Sequence, residues 1–418
     1  MGEAARSHPA CGMTPHPMSL ASHRAAFAAY MIFIGAFATQ WALYAKEALG
    51  FSTGTTGILN AIFLGSIISA SLVIGRVADA FQCRLLLQRL LSALGVVVLC
   101  FWPFVETVWQ MAVLLVIQGW ACHVQVAMLD ASSVDLLRGD RARYGSVRAF
   151  GTIGYAAGVF LVSRLRHGDP RLFLGVAIGA LAVFHLVTWW LPRTQVTAME
   201  VRPRLALKTV FKNRPLVILL TTTIAYSAAF AHYEVFGTLH FTELGISESS
   251  IGNIYVAGSM AEVLVLFAAA PILKRYRVRH LMAFSMLICA GRWAAMPFVS
   301  SALPLLFLQL SHAVCFGLWY AAAVHALGRL VDAEVRTSGQ ALFSVCFSCG
   351  FGLGGFLAGQ SRESLGPDAT FAMSAALALL AGCVVIGMRH VFDDTALSGD
   401  PRHLARIGEN ITKTPAQR

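Results

Sequence analysis

Runs of about 20 apolar residues recur along nearly the whole chain, and this constrains its fold more than any other feature. At 1.5 Å of rise per residue, each run is long enough to cross about 30 Å of hydrocarbon as a helix. The chain has 418 residues, 57% of them hydrophobic and only 13% charged. Its mean hydropathy is +0.67. A soluble domain carries roughly a quarter charged residues. Period-two alternation, the mark of membrane barrel strands, is absent. The expected class is therefore an all-α membrane protein.

Twelve spans are expected, at roughly 24–46, 55–77, 84–104, 107–133, 147–165, 171–192, 215–240, 249–273, 280–299, 303–328, 337–361 and 368–391. The sixth and seventh are separated by the longest polar interior loop, with Arg202, Arg204, Lys208, Lys212 and Arg214. This divides the chain into two six-helix bundles, 23–192 and 215–391. The linker is 193–214 and the tails are 1–22 and 392–418. Residues 1–22 lack the apolar core of a cleavable signal, and Met13 and Met18 are alternative starts.

The net charge is +11. Its placement argues against nucleic acid, because the cations sit in short loops and form no basic stripe. They read instead as topology signals. With both termini in the cytoplasm, about 25 of the 32 cations lie inside and five outside: Lys46, Arg164, Arg166, Arg171 and Arg362. Arg148 and Arg292 fall within spans. The nine cysteines are mostly within apolar runs and read as small buried hydrophobes. Cys346 and Cys349 have CxxC spacing but no second pair or nearby His, so neither zinc nor redox chemistry is expected. No cofactor is expected.

An internal repeat supports two halves. Residues 49–57 read LGFSTGTTG and residues 244–252 read LGISESSIG. Both open the second helix of their half, with Gly seven residues after the first Gly. Repeated halves with a site near the midplane are typical of secondary transporters. HExxH and phosphate-cradling loops are missing, and no soluble signalling domain is evident. An embedded enzyme or sensor is thus disfavoured.

Charges inside the spans mark the candidate site. Glu262 lies about 13 residues into the eighth span, or roughly 20 Å deep. Arg292 lies about 12 residues into the ninth from the opposite face, and His312 about nine into the tenth. All three fall near mid-depth. An ionised group there costs at least about 2.5–3.5 kcal/mol on insertion scales. Three such groups on consecutive helices point to one polar cluster. Glu262 and Arg292 can neutralise each other, and His312 can exchange a proton near neutral pH. Asp130 and Arg148 form a second pair nearer the cytoplasmic end, either at a binding site or as a loop salt bridge. Glu234, near the outer end of the seventh span, is either a gate carboxylate or interfacial.

Gly75-Arg-Val-Ala-Asp79-Ala-Phe-Gln-Cys-Arg84 resembles the signature loop of the major facilitator superfamily. There Gly75 would allow close helix approach, and Asp79 with Arg84 would latch one conformation. Leu-Asp130-Ala-Ser, Tyr144-Gly-Ser-Val-Arg148-Ala-Phe-Gly, Ser259-Met-Ala-Glu262-Val, Cys289-Ala-Gly-Arg292-Trp293 and Leu308-Gln-Leu-Ser-His312 extend the resemblance over nearly the whole chain. Together they resemble the branch containing lactose permease and the phenylpropionate permeases. The Glu-Val and Arg-Trp forms look closer to the phenylpropionate group.

The resemblance implies twelve transmembrane helices in two pseudo-symmetric six-helix bundles. It further implies a monomeric permease in the inner membrane that carries a small molecule by alternating access. Asp130, Arg148, Glu262, Arg292 and His312 would bind substrate, and Glu262 and His312 would couple protons. Two departures count against a galactoside. The proton-carrying Glu that lactose permease has one turn after the histidine is Cys315 here. Residues 343–356 hold no lysine to pair with an acid on the seventh helix. The expected activity is proton-coupled uptake of an aromatic carboxylate. Sugar or nucleoside symport and proton-driven export are the alternatives.

Overall fold

A computed structural model describes residues 17–137, 141–192, 207–332 and 335–387. These residues are almost entirely helical, as hydrocarbon requires: each backbone N–H and C=O must find a partner within its own segment. Eleven helices are long and apolar enough to cross a membrane. The last, Ser338–Gly387, is 50 residues long. It breaks at Gly366, whose φ of 86° is left-handed, with Pro367 following. Pro lacks the N–H and cannot continue the preceding helix. The break makes two spans of this helix, which gives twelve.

Span ends differ modestly from expectation. The first helix begins at Pro17, inside the 1–22 segment. The seventh runs over Arg214–Glu243, past the expected end at 240. The fourth breaks at His123, between Val108–Cys122 and Val124–Leu136. The tenth carries a π-helical turn over Ala313–Leu318. Of the 193–214 linker, 193–206 lies outside the described residues, and Leu207–Lys212 forms a short helix.

Each half has its own core. In the first, Phe27, Tyr30, Phe33, Phe37, Trp102 and Phe173 are buried together. In the second, Tyr226, Phe230, Trp293 and Trp319 are. Two buried tyrosines of the first half find backbone partners for their hydroxyls. Tyr30 Oη donates to the Cys122 carbonyl at 2.7 Å, and Tyr44 Oη to that of Trp102 at 2.8 Å.

The repeated sequence has a physical meaning in both halves. Gly50 and Gly245 take positive φ, 69° and 72°, and end the first helix of their half. A left-handed glycine is the common helix terminator because it has no Cβ to clash. Ser52 and Ser247 then cap the next helix, accepting from Thr55 N at 3.1 Å and Ser250 N at 3.4 Å. The second repeat glycine touches the opposite half. A Cβ on Gly57 would lie 2.8 Å from the Gly355 carbonyl oxygen and 3.0 Å from Gly359 Cα. One on Gly252 would collide with the Ser163 side chain.

These contacts seal the face opposite the chain ends, here termed the far face. Glu248 accepts from Arg166 Nε at 2.8 Å and from Gly168 N at 2.9 Å. Arg164 donates to Asn253 at 3.2 Å. Glu363 accepts from Ser52 Oγ at 2.6 Å and Gly54 N at 2.5 Å, and Gln360 donates to the Gly54 carbonyl at 3.0 Å. Among the described residues, the hydrogen bonds that join the halves all lie at this face.

Gly57→Leu should therefore hold the far face open. In a background with native cysteines replaced by serine, a cysteine at Ser259 should be labelled faster by an impermeant thiol reagent added from that face. An unchanged rate would show that this glycine crossing is not what closes it.

Candidate functional site

Behind the far-face seal lies a cavity of about 290 Å³ between the halves. The first half contributes Arg148, Thr152 and Tyr155. The second contributes Tyr233, Glu234, Tyr255, Glu262, His312 and Phe316, among others. Of the expected site residues, the cavity wall thus holds Arg148, Glu262 and His312.

The polar chain in the second half is ordered differently from expectation. Glu262 and Arg292 do not meet; His312 stands between them. Its Nε2 lies 3.5 Å from Glu262 Oε2, and its Nδ1 lies 3.3 Å from Arg292 Nη1. A guanidinium can only donate, so Nδ1 accepts and the ring proton sits on Nε2, facing Glu262. A doubly protonated ring would turn an N–H against Arg292.

Arg292 is turned away from the cavity surface and is 2% exposed. Its Nη2 donates to Gln309 Oε1 at 2.5 Å. Its guanidinium lies 4.7 Å from the Tyr233 ring centre and 4.4 Å from that of Trp293. Stacked guanidinium is stabilised by the ring quadrupoles, more so when desolvated. Arg292 therefore positions His312, and the expected direct pairing with Glu262 is corrected.

Local sequence explains the approach of the eighth and tenth helices. A Cβ on Gly317 would lie 2.9 Å from Glu262 Cγ, and one on Gly258 would lie 2.6 Å from Gln309 Nε2. Both glycines make room for a polar side chain from the neighbouring helix. Gly317 lies in the π-helical turn, a deformation common at functional sites. Tyr226 Oη satisfies the Cys315 carbonyl of that turn at 2.5 Å. His312 stacks on Phe316, centroids 5.4 Å apart and planes at 12°.

In the first half, Arg148 Nε lies 3.7 Å from Asp130 Oδ1, to which Tyr144 Oη donates at 2.8 Å. Arg148 also lies over the Phe27 ring at 5.4 Å. Arg148 lines the cavity, and Asp130, which does not, pairs with it. Glu234 also lines the cavity. It looked shallow because the seventh span reads as ending at 240. The helix continues to Glu243, which sinks Glu234 by a further turn.

The latch motif is only partly described. Arg84 Nη1 pairs with Asp135 at 2.9 Å. The Asp79 side chain lies outside the described residues. Gly75 faces open space: a Cβ there would meet no described atom within 4 Å. The close approach expected at Gly75 is thus not made in this conformation, whose described inter-half bonds lie at the far face.

Since Arg292 is a buried cation held through both terminal nitrogens, Arg292→Ala should destabilise by about 3–5 kcal/mol, the cost of breaking a buried charge network. Arg292→Lys should recover part of this loss, because it keeps the charge but not the planar fork. Thermal unfolding followed by tryptophan fluorescence checks both. Equal stability of wild type and Arg292→Ala would remove Arg292 from its positioning role.

Comparison with known proteins places this geometry. Residues 25–373 match the model of the MFS_1 like family. A probable 3-phenylpropionic acid transporter of Escherichia coli (strain K12) is 25% identical over 327 residues, 73% of this chain and 81% of that protein. A putative nucleoside transporter of the same organism is 22% identical over 358 residues, covering 81% and 83%. The crystal structure of the nucleoside transporter NupG superposes with a TM-score of 0.79 at 18% identity, covering 89% of this chain and 99% of that one. The chain belongs to the MFS_1-like family and is a multi-pass secondary transporter of the major facilitator type.

Proposed function

We propose that the protein is a proton-coupled symporter of a small aromatic carboxylate, working by alternating access. The observation that carries this reading is the cavity itself. It sets a guanidinium from one half, Arg148, across from a carboxylate–imidazole pair of the other, Glu262 and His312. Tyr155 of the first half and Tyr233, Phe316, Phe347 and Phe351 of the second supply flat apolar faces to the same cavity. An aryl carboxylate needs these two surfaces and little else. The likeness to the probable 3-phenylpropionic acid transporter supports the same class.

Arg148 holds the substrate anion by charge-assisted hydrogen bonds, with Asp130 and Tyr144 fixing its direction. Glu262 takes the proton from water entering the cavity, and His312 Nε2 hydrogen-bonds whichever form is present. A neutral Glu262 removes one negative charge from the cavity that must accept the anion. Proton and anion binding therefore favour each other, reciprocally. The proton on Glu262 does not act by freeing Arg292, since Gln309 and His312 hold Arg292 in place. In the inner membrane with cytoplasmic termini, the far face is the outer one, and the protein acts as a monomer.

A second reading is favoured by one observation: two carboxylates, Glu234 and Glu262, line the cavity against one guanidinium. Carboxylates accept from hydroxyls, so a neutral sugar or nucleoside also fits. Uptake into proteoliposomes separates the two. On the carboxylate reading, 3-phenylpropionate accumulates when a pH gradient is imposed and uridine does not compete. The reverse pattern selects the neutral solute.

Arg148→Gln should weaken apparent substrate affinity about ten- to a hundredfold, the worth of a charge-assisted hydrogen bond. Glu262→Gln should abolish gradient-driven accumulation while leaving counterflow of labelled substrate intact. Unchanged gradient-driven uptake in Glu262→Gln, with normal counterflow, sinks the coupling role.

A further inference from the structure

Beyond Glu262 and His312, toward the far face, the cavity ends in two polar side chains with no assigned work. Glu234 reaches it from the seventh helix and Tyr155 from the fifth span. Among the described residues neither makes a hydrogen bond or an ion pair. They belong to opposite halves, and they stand close enough for the Glu234 charge to act on Tyr155. The neighbouring Tyr255 hydroxyl is already engaged, accepting from Thr238 Oγ1 at 3.3 Å.

Arg148 marks the other end. Arg148, Thr152 and Tyr155 are spaced four and then three residues apart on one helix, Arg141–Leu165, and all line the cavity. Such spacing puts them on one helix face. At 1.5 Å of rise per residue, Arg148 and Tyr155 lie about 10 Å apart along that face. Phe316 falls between the two ends. It is about one turn from His312, whose charge acts on Glu234, and one turn from Tyr320, on which Arg148 acts. Phe347 stands edge-on against Phe316, ring centres 6.1 Å apart.

A cation at one end, flat apolar rings in the middle and hydroxyl partners at the other end describe the complement of a particular molecule. At ordinary bond lengths, 3-(4-hydroxyphenyl)propionate spans about 8 Å from carboxyl carbon to phenol oxygen. We propose that Glu234 and Tyr155 form a hydroxyl-recognition subsite, and that the preferred substrate is an aryl carboxylate with a ring hydroxyl para to its acid chain. This rests on the carboxylate-symport reading above. Glu234 accepts from the phenol O–H, and Tyr155 Oη donates to the phenol oxygen. The one hydroxyl thus touches both halves. A plain phenyl ring leaves both groups without a partner when it displaces their water, and a site built for a hydroxyl rejects the analogue that lacks it.

Isothermal titration calorimetry on the purified, detergent-solubilised protein compares three acids: 3-(4-hydroxyphenyl)propionate, 3-phenylpropionate and 3-(4-methylphenyl)propionate. The hydroxylated acid should bind about ten- to a hundredfold more tightly than 3-phenylpropionate, the worth of a hydrogen bond to a charged group. The methyl-bearing acid has nearly the same shape and no polar atom on the ring, and should gain nothing. Charge-assisted hydrogen bonds are roughly twice as strong as neutral ones, so the hydroxyl preference should fall at least about threefold in Glu234→Gln. Tyr155→Phe should lower it as well. A hydroxylated acid that binds no better than 3-phenylpropionate, or no better than the methyl-bearing acid, overturns the subsite, and this comparison needs no variant. A preference unmoved in both variants overturns its assignment to Glu234 and Tyr155. If none of the three acids binds, the carboxylate reading falls and the subsite falls with it.

Discussion

Hydrocarbon offers no partner to a polar group, and every level of this structure answers to that fact. At the backbone it forces helices. At the side chains it forces each ionisable group to find a neighbour or face the one aqueous space inside the bundle. The Glu262–His312–Arg292–Gln309 chain is a solution of the first kind. Each member supplies what the next lacks: carboxylate acceptor, imidazole with one donor and one acceptor, guanidinium donors, amide acceptor. An N–H on His312 Nδ1 would point at the Arg292 guanidinium, which has no acceptor to offer. That makes Glu262 the better place for a travelling proton. Its protonation changes the charge facing the cavity without unseating the buried arginine.

The far-face seal obeys a different economy. The contacts of Glu363 and Arg164 are exposed, and such contacts contribute only about 0–1 kcal/mol, whereas Arg166 is buried beneath Glu248. A transporter needs its two conformations close in energy, and weak polar clasps over close glycine crossings serve that need. The two halves build the clasp from one repeated pattern but place the acid differently. Glu248 lies on the repeat itself and reaches across to Arg166 and Gly168. In the other half the acid is Glu363 of the opposite bundle, which reaches back to Ser52 and the Gly54 amide at the start of the second helix. A carboxylate at a helix N-terminus also meets the positive end of the helix dipole.

Much of this was legible in the sequence. The spans, the two halves, the repeat and the depth-matched trio came from apolar periodicity and the cost of buried charge. Partner assignment did not. Depth fixes one coordinate of a side chain, whereas pairing also needs the rotation of each helix about its axis. That rotation is set by packing: by Gly317 and Gly258, which admit Glu262 and Gln309, and by the π turn after His312. No count along the chain shows such a turn. Glu234 was misplaced for a related reason, since its depth was measured from a helix end that lay farther on. A Cβ on Gly75 would meet no described atom within 4 Å, so the close approach read from its motif is not made here.

Cys315 shows how geometry alters an argument from residue identity. A carboxylate missing from the tenth helix looked like a lost proton carrier, with its duty passed to Glu262. In the structure Cys315 is fully buried within the π turn, its carbonyl bonded to Tyr226 and its sulfur beside Ser311. It does not line the cavity. A carboxylate there would enter the packed core of the second half, at the cost of an unpaired buried charge. The carboxylates that face the cavity are instead Glu262 on the eighth helix and Glu234 on the seventh. On the proposed reading, substrate and protons would meet on this cavity wall, and the tenth helix contributes His312 between the cavity-lining Glu262 and the buried Arg292.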